Sequence, residues 1–188
     1  ENNLLIKEAK LEYNGEMNCN SSIAFSPSGN RISVSIYYDS TLFAFDAEKL
    51  SPINKWKNDS ARFILRAKWI NEEEILAAFG HPGDLIVYSL NSNTPLRKIS
   101  LPQLKGSCVC NFDFAKNKIH VFCGTSSGLF FKVPIDKVTA EMSWSHNGHS
   151  SWINVVTLSN CGHILMAGGN DNKVVLCSES NGTILTSF

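Results

Sequence analysis

An acidic run and two glycine-rich loops contain residue types that occur in catalytic and phosphate-binding sites. Glu72, Glu73 and Glu74 are consecutive carboxylates between two apolar stretches. Glycoside hydrolysis needs two carboxylates held across a cleft at a set separation, which neighbours within one turn cannot provide. The loops at 80–83 and 124–128 neither end in Gly-Lys-Ser/Thr nor open a helix, as phosphate-binding loops do. These patterns predict solvated turns between strands.

The thiols are the second group of residues with chemical potential. The chain has six, namely Cys19, Cys108, Cys110, Cys123, Cys161 and Cys177. Zinc sites favour a Cys-x-x-Cys pair with a second pair or two histidines at a set distance, and this chain has no such pairing. Cys108 and Cys110 instead have strand spacing, and Cys123 and Cys177 lie within apolar runs. We therefore expect buried, reduced thiols, with no metal and no cofactor.

Composition indicates a globular β protein. Hydrophobic residues make up 43% of the chain and charged residues 18%, and Phe, Ile, Val and Ser are abundant. The 17 basic and 17 acidic residues cancel, and no dense basic cluster occurs, so direct binding to nucleic acid is disfavoured. No long apolar run and no charged-then-apolar leader is present, so we expect no membrane partner and a cytoplasmic or nuclear location.

The chain contains four copies of a sequence repeat of about 44 residues. Each copy has an apolar strand, a tight polar turn, a second apolar strand and a closing position. The turn residues are spaced by 43, 45 and 44 residues, and each precedes its closing residue by six. The turn residues are Asp39, Pro82, Ser127 and Asp171, and the closing residues are Phe45, Tyr88, Val133 and Cys177. A repeat of this length with several short strands is typical of a propeller blade.

The first and last copies carry a resemblance to a known family. Residues 39–46 and 169–178 resemble the turn-to-Trp-Asp stretch of WD-repeat proteins, and Gly148-His149 stands where that family begins a unit. No copy keeps the closing Trp, and only Asp46 keeps the acid that follows it. The chain thus resembles the WD-repeat β-propeller family, with divergent repeats, over about residues 19–188.

The resemblance implies an all-β fold built from four-stranded antiparallel blades. We expect blades at 19–62, 63–105, 106–147 and 148–188, with 1–18 as an outer strand or the end of a preceding blade, and outer strands at 53–57, 96–101, 141–145 and 183–188. A seven-bladed ring at this period needs about 300 residues, so we expect an incomplete, open ring. The arc is then part of a longer propeller or is completed by another polypeptide; a self-standing four-bladed ring is the alternative.

In a WD-like unit, His149 and Asp171 approach each other across the blade, where the carboxylate orients the imidazole. The resemblance therefore implies a structural hydrogen-bonded pair.

A catalytic dyad would need an activated nucleophile in reach, and Cys177, at the closing position, has no feature that would make it a thiolate. The remaining histidines, which are His81, His120, His146 and His163, show no metal-ligand spacing. We expect no catalytic residues.

With catalytic and metal sites disfavoured, we expect the chain to act through contacts between its surface and a partner. In the family, the rim where the inner strand begins and the residue before the turn acid are the usual contacts. Those positions carry Tyr38, His81, Ser126, Trp152 and Asn170. Tyr and Trp are typical of interaction hot spots, so these five residues are the candidates for partner contact.

The predicted function is a non-catalytic protein-protein interaction scaffold within a eukaryotic multiprotein complex, with peptides or partner domains bound at the rim. Two alternatives stand beside it. The third unit, from Cys110 to Val133, loosely resembles the spindle-checkpoint and mRNA-export propellers. A hydrolase-type propeller enzyme is the other, although the chain has no recurring Ser-x-Asp-x-Gly-x-x-Trp box.

Overall fold

A computed structural model describes residues 20–81 and 83–188. The described part is all-β, with one short 3-10 turn at Pro102–Leu104 and a helical content of 2%. Its strands form four separate four-stranded sheets. The expected start of the first unit at Cys19, the segment 1–18 and the turn residue Pro82 lie outside the described residues.

Each sheet corresponds to one repeat. The first contains β1 (Asn20–Phe25), β2 (Arg31–Ile36), β3 (Thr41–Asp46) and β4 (Pro52–Lys57). The second contains β5 (Phe63–Trp69), β6 (Glu74–Gly80), β7 (Leu85–Ser89) and β8 (Pro95–Ile99). The third contains β9 (Val109–Phe114), β10 (His120–Thr125), β11 (Leu129–Pro134) and β12 (Trp144–Asn147). The fourth contains β13 (Ile153–Leu158), β14 (Ile164–Gly169), β15 (Val174–Ser178) and β16 (Ile184–Ser187).

Within each sheet, every strand pairs antiparallel with the next strand along the chain. All four sheets therefore place the start of the first strand, the end of the second and the start of the third at one common end. We call this end the rim. The turns that hold Asp39, Ser127 and Asp171 join the second and third strands of their sheets, so they lie at the rim.

The hydrophobic core lies between the sheets rather than within them. One cluster joins sheets one and two around Trp56, Trp69 and Phe79, and another joins sheets two and three around Leu76 and Phe112. A third, which includes Phe122 and Phe130, joins sheets three and four. Sheet two is covered on both faces, which explains why β6 is almost continuously apolar and buried rather than alternating.

Polar side chains connect the inner strands of neighbouring sheets, which share no ladder. The backbone N–H of Ala67 on β5 donates to Ser22 Oγ on β1 at 2.8 Å. Lys68 Nζ lies 2.9 Å from Asp113 Oδ1 on β9, and Asp113 Oδ2 accepts from the Leu158 N–H of β13 at 3.0 Å. Each connection spans one boundary between sheets, so the repeats are fastened in chain order.

A second row of connections runs along the outer strands. Trp56 Nε1 on β4 donates to the Ser92 carbonyl at 2.8 Å, and Trp144 Nε1 on β12 donates to the Glu179 carbonyl at 3.2 Å. Arg97 on β8 reaches the Ile135 carbonyl at 2.7 Å. In all three cases an outer strand donates to the turn that joins the third and fourth strands of the next sheet. The outer perimeter is therefore fixed as well as the core.

The described sheets form an open arc. Sheet one packs on sheet two, two on three and three on four, and no closed ring results among residues 20–81 and 83–188. The outward face of sheet one exposes 62% of Ile23 and 62% of Phe25. The outward face of sheet four exposes Val155, Met166 and Val174. The expected open ring is thus confirmed.

Two local features differ from the sequence interpretation. The outer strand of the third sheet begins at Trp144, because the segment before it instead reaches sheet two, where Ser100 N donates to the Val138 carbonyl at 2.8 Å. Glu72 is not simply solvated: its carboxylate accepts from the Ser28 N–H at 2.6 Å and the Ser28 hydroxyl at 2.8 Å. Both contacts join neighbouring sheets.

Candidate functional site

All five candidate contact residues lie at the rim. Tyr38 is in the turn after β2, His81 follows β6, Ser126 follows β10, Trp152 precedes β13 and Asn170 follows β14. Their positions follow from the antiparallel pairing of the strands. The structure brings some of them together and separates others.

Each inner strand carries a bulge close to the rim. The ladder to the second strand skips one residue in every sheet. The skipped residues are Ser21, Leu65, Cys110 and Asn154. Bulges interrupt pairing and re-aim side chains, and they are common beside functional sites. The residue immediately before each bulge still pairs with the second strand, so the bulged residue is the one that leaves the ladder.

Tyr38 and His81 belong to one continuous group of aromatic side chains at the junction of sheets one and two. Tyr38 meets Tyr37 edge to face, with ring centroids 4.7 Å apart and an interplanar angle of 84°. Tyr37 stacks on Phe63 at 4.9 Å and 4°, and Phe63 meets His81 edge to face at 5.9 Å. We call Tyr37, Tyr38, Phe63 and His81 the aromatic group. Tyr38 is 59% exposed.

The backbone around the aromatic group is held in place. The Ile64 N–H donates to the Tyr37 carbonyl at 3.1 Å, so the turn of sheet one is fastened to the start of β5. The Phe63 ring covers Gly80 so closely that a Cβ atom there would lie 1.8 Å from the ring. His81 has a φ of 43°, a conformation that few non-glycine residues adopt. The group is therefore preorganised rather than a set of independent side chains.

Trp152 and Asn170 form a second, smaller cluster on sheet four. The Asn170 N–H donates to the Trp152 carbonyl at 2.8 Å, and the Asn170 side chain accepts from Asn154 Nδ2. Asn111 Nδ2 on β9 donates to the Asn154 carbonyl at 2.9 Å, which joins this cluster to sheet three. Trp152 is 40% exposed.

Ser126 has a different environment from the other candidates. Its hydroxyl lies 3.2 Å from the Cys108 N–H and 3.0 Å from the Ser107 hydroxyl. These contacts turn the side chain toward the start of β9, so Ser126 positions the backbone there.

His149 and Asp171 meet in a buried turn of sheet four. His149 Nδ1 lies 2.9 Å from Asp171 Oδ1, and the Ser150 N–H donates to Asp171 Oδ2 at 2.9 Å. The hydrogen bond from His149, followed by that from Ser150, holds the pKa of Asp171 well below its usual value. His149 Nε2 is buried and has no hydrogen-bond partner among the described residues. Burial raises the pKa of Cys177 to about 12, so this thiol is protonated at neutral pH.

Within residues 20–81 and 83–188, no three His, Cys, Asp or Glu side chains are grouped so that they could hold a metal ion. No helix in the same part of the chain is long and apolar enough to cross a membrane. Five cysteines there are free, and Cys161 is exposed, so the expectation of buried thiols is wrong for Cys161.

Sequence reasoning missed Tyr37 and Phe63. A signal for Phe63 was available: it stands two residues before the bulge of its inner strand, as Trp152 does in sheet four. Counting back two repeat lengths from Trp152 therefore gives Phe63. Tyr37 had no such signal, because only its stacking on the neighbouring sheet distinguishes it from other turn residues.

Comparisons with known proteins identify the fold. No family model and no curated protein matches the chain. Among solved structures, the β-propeller domain of Cps50 (Swd1) from Myceliophteria thermophila superposes with a TM-score of 0.72 at 12% identity, covering 90% of this chain and 59% of that one. A chain of a mitotic checkpoint complex superposes with a TM-score of 0.77 at 13% identity, covering 90% of this chain and 52% of that one. The fold is that of a β-propeller.

The four sheets are accordingly propeller blades, as the spacing of the repeats predicts. The chain spans between about half and three fifths of the two propeller chains that it matches. In a propeller the inner strands surround a central channel, so the rim of this arc is one face of the propeller. The aromatic group occupies that face between blades one and two.

Proposed function

We propose that the chain is part of a non-catalytic interaction scaffold, a WD-repeat propeller that binds a partner protein or peptide at its rim. The observation that supports this proposal is the aromatic group. Four rings in continuous contact cross the boundary between two blades, and the outermost, Tyr38, is 59% exposed. A preorganised aromatic surface loses little side-chain entropy on binding, and Tyr is enriched at hot spots.

The remaining blades of the same propeller, or a completing chain, are the partners that we propose for the two open faces of the arc. A seven-bladed ring would supply them, since the chain spans 59% and 52% of its two structural neighbours. We place the assembly in the cytoplasm or nucleus of a eukaryotic cell. The five free cysteines of the described part agree with a reducing compartment.

A protein partner is favoured over nucleic acid by charge. The chain has 17 basic and 17 acidic residues, and the ordered ion pairs at Lys57, Lys68, Lys98 and Lys132 use part of the basic set internally. Nucleic-acid affinity depends largely on unpaired positive charge. The spindle-checkpoint alternative stays a prediction, because a shared fold at 13% identity transfers no partner.

The test uses the full-length protein and one partner protein. The partner is first identified by co-purification with the full-length protein and is then purified separately. Tyr38→Ala should weaken the measured affinity for that partner at least tenfold, which corresponds to about 1.4 kcal/mol. Ile119→Ala is the matched control, because Ile119 is also a large exposed side chain but lies at the opposite end of the sheets. Isothermal titration calorimetry gives both affinities.

Melting temperatures should be the same for both variants and the parent, since neither side chain belongs to an inter-blade core. Equal affinities for the Tyr38 and Ile119 variants would show that the partner does not use the aromatic group. A hydrolytic activity that disappears with a rim substitution would favour the enzyme alternative.

A further inference from the structure

Three of the six prolines in the chain directly follow a serine or a threonine. The three pairs are Ser26-Pro27, Ser51-Pro52 and Thr94-Pro95. A hydroxyl residue followed by proline is the substrate of proline-directed protein kinases, and some of these kinases also select a basic residue at the third position after the hydroxyl residue. Only Thr94 has such a residue, namely Arg97. The sequence therefore distinguishes Thr94 from the other two.

The structure separates the three hydroxyl groups by their accessibility. Ser26 is buried, with 4% of its surface exposed, so a kinase cannot reach it. Ser51 and Thr94 are both exposed, and each stands directly before the outer strand of its blade, β4 or β8. The two residues thus occupy equivalent positions in blades one and two. They differ at the third position after the hydroxyl residue, which is Asn54 in blade one and Arg97 in blade two.

The backbone after Thr94 is already extended, which is the form in which protein kinases bind their substrates. β8 is the outermost strand of sheet two, and β7 is its only ladder partner among the described residues. Pro95 is exposed, and Leu96 is 49% exposed. Arg97 donates to the Ile135 carbonyl at 2.7 Å. An anionic group on a kinase can replace this neutral acceptor, because a guanidinium pairs more strongly with an oxyanion.

The turn that contains Thr94 also receives the outer strand of blade one. The Ser92 carbonyl accepts from Trp56 Nε1 at 2.8 Å and from Asn54 Nδ2 at 3.3 Å. The Ser92 hydroxyl donates to the Thr94 carbonyl at 3.0 Å and lies 3.1 Å from Thr94 Oγ1. The Thr94 hydroxyl is therefore part of the turn that joins blades one and two.

We propose that Thr94 is a phosphorylation site for a proline-directed protein kinase that recognises Arg97, and that the phosphate loosens the contact between blades one and two. In the reaction, Thr94 Oγ1 forms a bond to the γ-phosphorus of ATP, and the bond from that phosphorus to the bridging oxygen breaks. ADP is the leaving group, and the hydroxyl proton passes to a carboxylate of the kinase.

The phosphate disturbs the turn in two ways. It adds about two negative charges at neutral pH, and it competes with the Thr94 carbonyl for the Ser92 hydroxyl. Glu73 is a further negative group at this turn, since its Oε2 accepts from Asn91 Nδ2 at 3.2 Å. Repulsion between like charges and the loss of internal hydrogen bonds both favour opening of the turn. The Trp56 indole is then released more often.

The first experiment treats the full-length protein with a purified cyclin-dependent kinase complex, Mg²⁺ and ATP, and locates the phosphate by peptide mass spectrometry. Thr94 should be modified, and Ser51, its counterpart in blade one, should not. Thr94→Val should remove this phosphate. Modification of Ser51 in place of Thr94, or no phosphate on Thr94, would overturn the proposal.

Synthetic peptides of residues 89–100 test recognition of Arg97 independently of folding. The parent peptide should be phosphorylated about tenfold faster than the Arg97→Ala peptide, because one contact to a charged group is lost. Arg97→Lys keeps the positive charge, so its rate should stay close to that of the parent. Equal rates for the parent and Arg97→Ala peptides would overturn the assigned class of kinase.

Nuclear magnetic resonance of the tryptophan indoles measures the effect on the blade contact. In the full-length protein phosphorylated at Thr94, the Trp56 Nε1–H should exchange with solvent faster than in the unmodified protein. The Trp144 Nε1–H is the control, because it makes the equivalent contact to the Glu179 carbonyl between blades three and four and should be unchanged. Equal exchange at Trp56 in the two forms would overturn the proposed loosening of this contact.

Discussion

At the scale of single residues, Asp113 joins three blades through one carboxylate. It accepts from Lys68 of blade two at 2.9 Å and from the Leu158 N–H of blade four at 3.0 Å. Asp113→Asn removes the charge that strengthens both contacts, so it should lower the free energy of unfolding by about 1–3 kcal/mol. Chemical denaturation of the full-length protein measures this loss. Asp59→Asn is the control, because the Asp59 side chain is 84% exposed and should change stability little.

The Asp113 effect should also depend on pH. Burial opposes ionisation of this carboxyl, but the hydrogen bond from Leu158 and the neighbouring Lys68 together hold its pKa below the usual value. A lowered pKa in the folded state adds stability above the unfolded pKa, near 3.9, and the added stability is lost as pH falls through the folded pKa. The gap between parent and Asp113→Asn should therefore be constant above about pH 5 and shrink below about pH 4. A gap that widens in acid would contradict this sign.

His149 gives a second prediction at this scale. His149→Ala leaves the buried Asp171 carboxylate without its imidazole partner, and the lost contact should lower Tm by roughly 2–8 °C. His163→Ala is the matched control, since His163 is exposed in a turn of the same blade. Differential scanning calorimetry compares the two. If His149→Ala melts like the parent while an activity is lost, the pair is functional rather than structural.

At the scale of elements, the fit between β5 and β6 determines the shape of the aromatic group. A Cβ atom on Gly80 would lie 1.8 Å from the Phe63 ring, so Gly80→Ala must move that ring out of its stack on Tyr37. We expect a changed near-ultraviolet circular dichroism signal and weaker partner binding, similar to Tyr38→Ala. Gly168→Ala is the control, because its Cβ atom would meet only a Val155 methyl group, at 3.0 Å. An unchanged spectrum would show that the stack does not depend on Gly80.

At the scale of the whole molecule, the two open faces control association. The 188-residue chain expressed alone exposes Ile23 and Phe25 at one end and Val155 and Met166 at the other. Exposed apolar sheet faces favour association, so we expect oligomers or aggregates in size-exclusion chromatography with light scattering. A longer chain that supplies the neighbouring blades should be monomeric.

Charged substitutions provide the control for this experiment. Ile23→Lys together with Val155→Lys should reduce association of the 188-residue chain, because both side chains lie on the open faces. Val138→Lys, at an equally exposed position away from both faces, should not. A sharp monomer peak with a cooperative melt for the unmodified chain would instead indicate a self-contained small propeller.

The sequence by itself determined the number of blades, their order and the positions of their turns. These features repeat every 43 to 45 residues, and hydrophobic periodicity reports local strand structure directly. The repeat spacing also predicted that five residues lie at one end of the sheets, namely Tyr38, His81, Ser126, Trp152 and Asn170. It also paired His149 with Asp171, through the resemblance of the last unit, and the two side chains lie 2.9 Å apart.

Only the tertiary structure decided which of these residues act together. Tyr38 and His81 are joined by Tyr37 and Phe63 because the turn of one blade docks on the first strand of the next, a contact between residues distant in sequence. Packing between repeats depends on how one blade docks on the next, so these contacts appear only when the blades are assembled.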